Sequence, residues 1–216
     1  MNSSEKRTRT GGISKPIYFG IFLAVILVAV KWFFGTGWQK PDFEIPVYGE
    51  VPGFELTDQT GSFLKNKDLQ GKVWIAGFFF TRCAGPCPLL TGQMKIIGSK
   101  FQGNPGFRMV SFSVDPETDT PQVLSKYAEK YEADPKLWYF LTGSREQIYT
   151  LTESGFRLGV RDIPEPEREA PDQTVQHSTK LVLVDSLGRI RGYYDSESQG
   201  ALDRLSKNVQ KLLAEN

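Results

Sequence analysis

The chain has 216 residues, 39% of them hydrophobic, which is enough for one sizeable core once an apolar N-terminal segment is set aside. With 26 basic against 25 acidic side chains the net charge is +1, so there is no field to gather nucleic acid or an acidic partner. Only two Cys and one His are present, which confines soft-metal or thiol chemistry to Cys83, Cys87 and His177.

Residues 1–15 form a short tail in which Lys6, Arg7, Arg9 and Lys15 outnumber Glu5. From Pro16 to Val30 there is no charge, and Trp32-Phe33-Phe34 continue the apolar run past Lys31. At 1.5 Å per residue, positions 16–34 cover about 28 Å, close to the hydrocarbon thickness of a bilayer. This reads as a single transmembrane helix, with Lys31 snorkelling and Trp32 and Trp38 at the interface. A cleaved signal peptide fits less well, because bulky residues follow Val30 where a small-residue cleavage motif is needed, and a buried core helix would be amphipathic. The basic flank places the N-terminus in the cytoplasm and the rest outside. Without the amphipathic Arg- and Ser-rich pattern of a mitochondrial transit peptide, the expected setting is a bacterial inner membrane with the domain in the periplasm or its equivalent.

Gly- and Pro-rich residues 35–49 read as a linker, and 50–216 as the domain. Phe54-Glu55-Leu56 and Ser62-Phe63-Leu64 flank a turn-rich segment and suggest a hairpin. Val73 to Phe80 is continuously apolar, as in a central strand covered on both faces. Pro88 suits a first helical position, and Leu89, Leu90, Met94, Ile96 and Ile97 follow at helical spacing. A strand over 107–114, a helix over 121–131, a strand over 137–141 and a helix over 144–153 continue the alternation. Strands at 180–185 and 190–194 then pair across Ser186-Leu187-Gly188, and an amphipathic helix over 200–213 closes the chain. The pattern is that of an α/β sheet with helices on both faces that ends in an antiparallel pair.

Cys83-Ala84-Gly85-Pro86-Cys87-Pro88 lies where a buried strand gives way to a helix, the place where open α/β sheets carry binding and catalytic groups. Partial positive charge at a helix N-terminus favours a thiolate, which is both nucleophile and metal ligand. A stapling disulfide is the plainer alternative, but a five-residue loop restrains the unfolded chain by only ~2 kcal/mol. His177 follows a Pro- and Glu-rich loop, 162–176, and precedes the strand at 180. If that loop lies beside the cysteines, two thiolates and one imidazole form a soft set suited to copper, with zinc a weaker competitor. Asp115 and Glu117, in a Pro-bracketed turn, are expected to cap the next helix rather than act as a carboxylate pair.

Three segments carry a family resemblance: Phe79-Phe80-Thr81-Arg82-Cys83-Ala84-Gly85-Pro86-Cys87-Pro88, the block from Ser111 to Pro121 (SFSVDPETDTP), and His177-Ser178-Thr179. They resemble the Sco/SenC family over roughly residues 45–215. The resemblance implies a thioredoxin-like central mixed sheet flanked by helices and preceded by the single transmembrane helix. It also implies copper bound by Cys83, Cys87 and His177, and a role in assembling the binuclear copper centre of cytochrome c oxidase. Its partners would be the oxidase's copper-bearing subunit, other copper chaperones and a thiol reductant. Ala84-Gly85-Pro86 departs from the family by lacking a proline directly after the first cysteine. A thiol–disulfide oxidoreductase is the competing reading, with Cys83 and Cys87 as its redox-active pair. Three intervening residues and Ser178, where such enzymes often carry a cis-proline, count against it. A copper sensor or tethered scaffold is the third.

Overall fold

The computed structural model describes residues 15–35, 44–168 and 174–216. The expected tail, most of the linker and residues 169–173 of the Pro- and Glu-rich loop lie outside the described residues. The chain divides into a unit Met1–Glu44 and a unit Ile45–Asn216. In the first, α1 runs over Lys15–Gly35 (21 residues). Among the described residues no helix is long and apolar enough to cross a membrane. The expected span at 16–34 includes positions 16–19, 21 and 32–34, whose side chains are not among those described; Phe22 to Lys31 are all exposed.

In the second unit, β1 (Gly49–Glu50) precedes the hairpin of β2 (Glu55–Asp58) and β3 (Phe63–Lys65), in which Leu56 pairs with Leu64. The Asp58 carboxylate accepts from the Thr60 and Ser62 backbone N–H groups, so the turn is tied by an Asx-type contact. The apolar run becomes β4 (Val73–Phe79), buried at every position. After it come α2 (Cys87–Ser99), β5 (Phe107–Ser113), α3 (Pro121–Lys130), β6 (Trp138–Thr142) and α4 (Arg145–Thr150). Directly after α4 the helix continues in π geometry over Leu151–Gly155. Two short strands, β7 (Val160–Asp162) and β8 (Val175–His177), pair antiparallel as a separate ribbon. Strands β9 (Lys180–Val184) and β10 (Arg189–Asp195) and helix α5 (Gln199–Ala214) complete the chain.

The main sheet has the order β1-β10-β9-β4-β5-β6-β2-β3, with β4, β5 and β6 parallel and the flanking pairs antiparallel. It is therefore the expected mixed sheet. Side chains alternate across it. From β4, Gly77 faces Met94 of α2, and the Phe79 ring lies 5.0 Å from Tyr127 of α3. Lys100, just past α2, donates to Ser206 of α5. On the opposite face Trp74 and Phe78 meet Phe156, the residue after the π turn. Both faces of β4 are thus covered, which fixes its C-terminal end, where the cysteines begin.

Residues 45–49, within the expected linker, pack onto the domain. Buried Arg191 pairs with buried Asp185 at 2.8 Å and donates to the Ile45 and Pro46 carbonyls. The Tyr48 N–H bonds to the Ile190 carbonyl. A buried Arg can be kept only when its guanidinium is satisfied, and here a carboxylate and two carbonyls do so.

Phe112, fully buried on β5, stacks on Phe78 at 5.3 Å and contacts Phe54 and Phe156 at 5.6 and 5.5 Å. Phe112→Ala should lower the unfolding free energy by about 3–5 kcal/mol through lost burial and a cavity. Urea unfolding of the reduced domain measures this; a change no larger than that of an exposed-site substitution would contradict the packing described.

Candidate metal and thiol site

Between β4 and α2 the chain turns through residues 80–86, with the Cys83 N–H bonded to the Phe80 carbonyl. This turn is held from beneath by Asp119, which is fully buried. Its carboxylate accepts from the Thr81 N–H at 3.1 Å, the Thr81 hydroxyl, and the Ser113 hydroxyl at 2.5 Å. Burial raises the Asp119 pKa, against the opposing effect of those hydrogen bonds. Asp119 was not anticipated from sequence; the signal available was an Asp framed by Thr118 and Thr120 with Ser113 and Thr81 as polar neighbours inside apolar strand ends. Asp115 and Glu117 do not cap α3. Thr120 does, accepting from the Val123 N–H. Asp115 instead pairs with Arg82 at 2.8 Å, and Glu117 pairs with Arg145 at 3.4 Å. The turn folds back through Thr118 and Asp119 N–H bonds to the Asp115 carbonyl, which carries both carboxylates away from the helix start.

Cys87 is the first residue of α2 and only 1% exposed, while Cys83, in the turn, is partly exposed; neither forms a disulfide. His177 ends β8. The β7–β8 ribbon pairs His177 with Val160, and brings its Nε2 to 3.3 Å from Cys87 Sγ across 90 residues of sequence. His177 Nδ1 lies 3.0 Å from the Ser178 carbonyl oxygen. A carbonyl only accepts, so the Nδ1–H donates to it, and this contact turns Nε2 toward Cys87 Sγ. The edge-on contact with buried Phe80, at 5.8 Å, restrains the ring. Sequence reasoning missed Phe80 and the Ser178 carbonyl, since neither residue type marks such a role.

The two thiols are unequal. A hydrogen bond from Cys87, above all, pulls the Cys83 pKa from 9.0 down to about 4, with His177 helping and burial opposing. The hydrogen bond to Cys83 and burial push Cys87 far up. The pair therefore keeps one proton, on the buried sulfur, and exposes a thiolate at Cys83. The structure brings together all three of the chain's Cys and His side chains: Cys87 touches His177, and Cys83 interacts with both. Among the described residues no group of three or more His, Cys, Asp or Glu is placed so that it could hold a metal ion. Two sulfurs and one imidazole are side chains of soft-donor type.

A thiolate at Cys83 should make alkylation selective. With iodoacetamide, one of the two thiols should react down to a midpoint near pH 4. Cys83→Ser should remove that reaction, and Cys87→Ala should move its midpoint up toward 9.0, because the Cys87 hydrogen bond is the chief cause of the shift. Since the Cys83 value is lowered and the Cys87 value raised, the pair favours the folded state increasingly as pH rises from about 4 toward 9.0, and the trend reverses above 9.0, where the unfolded thiols lose a proton that the folded pair keeps. Equal reactivity of both thiols, midway between these limits, would contradict the assignment.

A family model described as SCO1/SenC matches residues 47–214. The chain is 34% identical over 167 residues to a protein of Bacillus subtilis described as a SCO1 protein homolog, covering 76% of this chain and 83% of that one. It is 30% identical over 171 residues to a putative copper-binding protein of Stutzerimonas stutzeri, covering 78% and 79%. Among solved structures, a SCO1/SenC family lipoprotein from Bacillus anthracis is similar with a TM-score of 0.69 and 31% identity, over 77% of this chain and 96% of that one. BsSco, described as having a disulfide switch and as a member of the Sco family of cytochrome c oxidase assembly proteins, is similar with a TM-score of 0.66 and 30% identity, over 77% and 95%. The mixed sheet described above is accordingly a thioredoxin-like fold.

Proposed function

The chain belongs to the SCO1/SenC family, and on that premise we propose that it is a membrane-anchored copper metallochaperone, binding copper through Cys83, Cys87 and His177. Its recipient would be the copper-bearing subunit of cytochrome c oxidase, whose binuclear centre it helps to assemble. The observation that carries this reading is the meeting of the chain's only His with Cys87 at 3.3 Å, beside its only other Cys. The relatives described as copper-binding and as oxidase assembly proteins support the same cargo and destination.

The residues divide the work. Cys83 offers a thiolate at the surface, where Ala84, Gly85, Pro86, Pro88 and Leu89 around it are exposed and leave room for an exchanging partner. His177 turns its Nε2 toward the site because Nδ1 is engaged by the Ser178 carbonyl. Cys87 must give up its proton to become the third donor, so binding is coupled to proton release and weakens as pH falls. Copper, when bound, supplies a soft acceptor that thiolates and imidazole share. Upstream copper chaperones would load the site and a thiol reductant would keep it receptive.

The membrane attachment is inferred from the sequence, in which the uncharged run Pro16–Val30 follows a basic flank. The basic tail 1–15 would lie in the cytoplasm, span 16–34 in the inner membrane, and linker 35–49 and domain 50–216 outside. The relative described as a lipoprotein is consistent with attachment by some route.

The depressed Cys83 pKa favours a second reading, a thiol–disulfide oxidoreductase. Cys83 would attack a partner disulfide, forming a mixed disulfide and releasing one partner thiolate. Cys87, on losing its proton, would then attack Cys83 Sγ and release the second, leaving the partner reduced and this pair oxidised.

Copper titration of the reduced domain, residues 40–216, should give one thiolate-to-copper charge-transfer band at one equivalent. His177→Ala should weaken binding by more than the roughly 10–100-fold that loss of an outer partner of a metal ligand costs. Undiminished affinity and stoichiometry in that variant would remove His177 from the ligand set. Disulfide reduction that persists in His177→Ala with copper chelated would favour the oxidoreductase.

A further inference from the structure

The segment between β5 and α3 carries three carboxylates, two tied to the cysteine turn and one to α4. Asp119 holds Thr81, two residues before Cys83, and Asp115 holds Arg82, the residue immediately before it. Glu117 points elsewhere, to Arg145 Nη1 at 3.4 Å. The other terminal nitrogen of Arg145, Nη2, donates to the Asp162 carboxylate on β7. Tyr149, one turn along α4, donates to the same Asp162 oxygen at 2.8 Å and lies under the guanidinium, 5.0 Å from ring to carbon. Asp162 pairs with Val175 across the ribbon, two positions from the Val160–His177 pair.

We propose that Arg145 is a positioning residue for the metal site, clasping the His177-bearing ribbon to the same segment that holds the Cys83 turn. The ribbon needs such a clasp. Its two strands of three residues each lie outside the main sheet, and a two-stranded ribbon is only marginally stable without outside contacts. With the clasp in place, the imidazole and the thiols are referred to one rigid body. Without it, the imidazole has to be ordered when copper binds, and that lost order subtracts from affinity. The contacts are partly exposed, so the effect is modest and screened by salt.

This inference rests on His177 being a copper ligand, and a double-mutant cycle on the full-length reduced protein in detergent separates the two. Arg145→Met, which keeps the stem and removes both ion pairs, should weaken copper binding about fivefold at low salt, the amount a network of exposed ion pairs supplies. Asp162→Asn should weaken it in the same direction, and Arg145→Lys, which can hold one carboxylate, should lie between. In a His177→Ala background Arg145→Met should have no further effect, because the arm it positions no longer carries a donor. At 1 M salt the wild-type affinity should fall toward that of Arg145→Met. Thermal unfolding of each variant is read in parallel, since a merely structural role would lower stability in both backgrounds without this loss of additivity. Equal weakening by Arg145→Met in both backgrounds, or none in either, would overturn the proposal while leaving a large effect of His177→Ala intact. If His177→Ala itself were without effect, the ligand assignment would fail, and the positioning role with it.

Discussion

The 3.3 Å contact between Cys87 Sγ and His177 Nε2 closes a gap of 90 residues, and the rest of the domain can be understood as the means of making it. Neither side chain has freedom to seek the other. Cys87 is fixed as the first residue of α2, whose direction is set by the packing of Leu90 and Met94 behind β4. His177 is fixed by its ribbon, by the Ser178 carbonyl on one nitrogen and by the edge of Phe80. The result is a buried sulfur set against Nε2, with the partly exposed Cys83 beside it, its pKa lowered chiefly by the hydrogen bond from Cys87.

The segment 115–119 is the point from which these pieces are referenced. A buried carboxylate is costly unless satisfied, and Asp119 is satisfied by hydroxyls and an N–H that belong to the cysteine turn and to β5. Disturbing the turn therefore strands a carboxyl in the core. Asp115 adds an ion pair to Arg82 with one partner buried, while Glu117 extends the same frame to α4 and the ribbon. Three acidic side chains spaced two apart thus serve three different neighbours.

Much of this was legible in the sequence, for reasons that differ by element. Continuous burial made β4 visible as an uninterrupted apolar run, and the 3.6-residue spacing from Leu90 to Ile97 marked α2. The nearness of His177 to Cys87 could be sought from sequence because no other His and only one other Cys exist in the chain. The β7–β8 ribbon was not, because three-residue strands flanked by Pro and Glu carry too little alternation to register, so His177 was expected on a loop. Nor was the packing of residues 45–49, whose Gly and Pro content suggests a linker while Arg191, 145 positions from Pro46, binds the Pro46 carbonyl. Asp115 and Glu117 were misread as caps because local turn statistics describe only neighbours, and their partners, Arg82 and Arg145, are 33 and 28 residues distant. The inequality of the two thiols was also hidden, since it depends on which sulfur is buried.

The most direct test of this account is X-ray absorption at the copper edge of the reduced, copper-loaded protein. The account predicts a first shell of two sulfur scatterers and one imidazole nitrogen, with the outer-ring imidazole scattering lost in His177→Ala. A shell of sulfur alone, or an imidazole signal that survives in that variant, would contradict the convergence of Cys83, Cys87 and His177 on one metal.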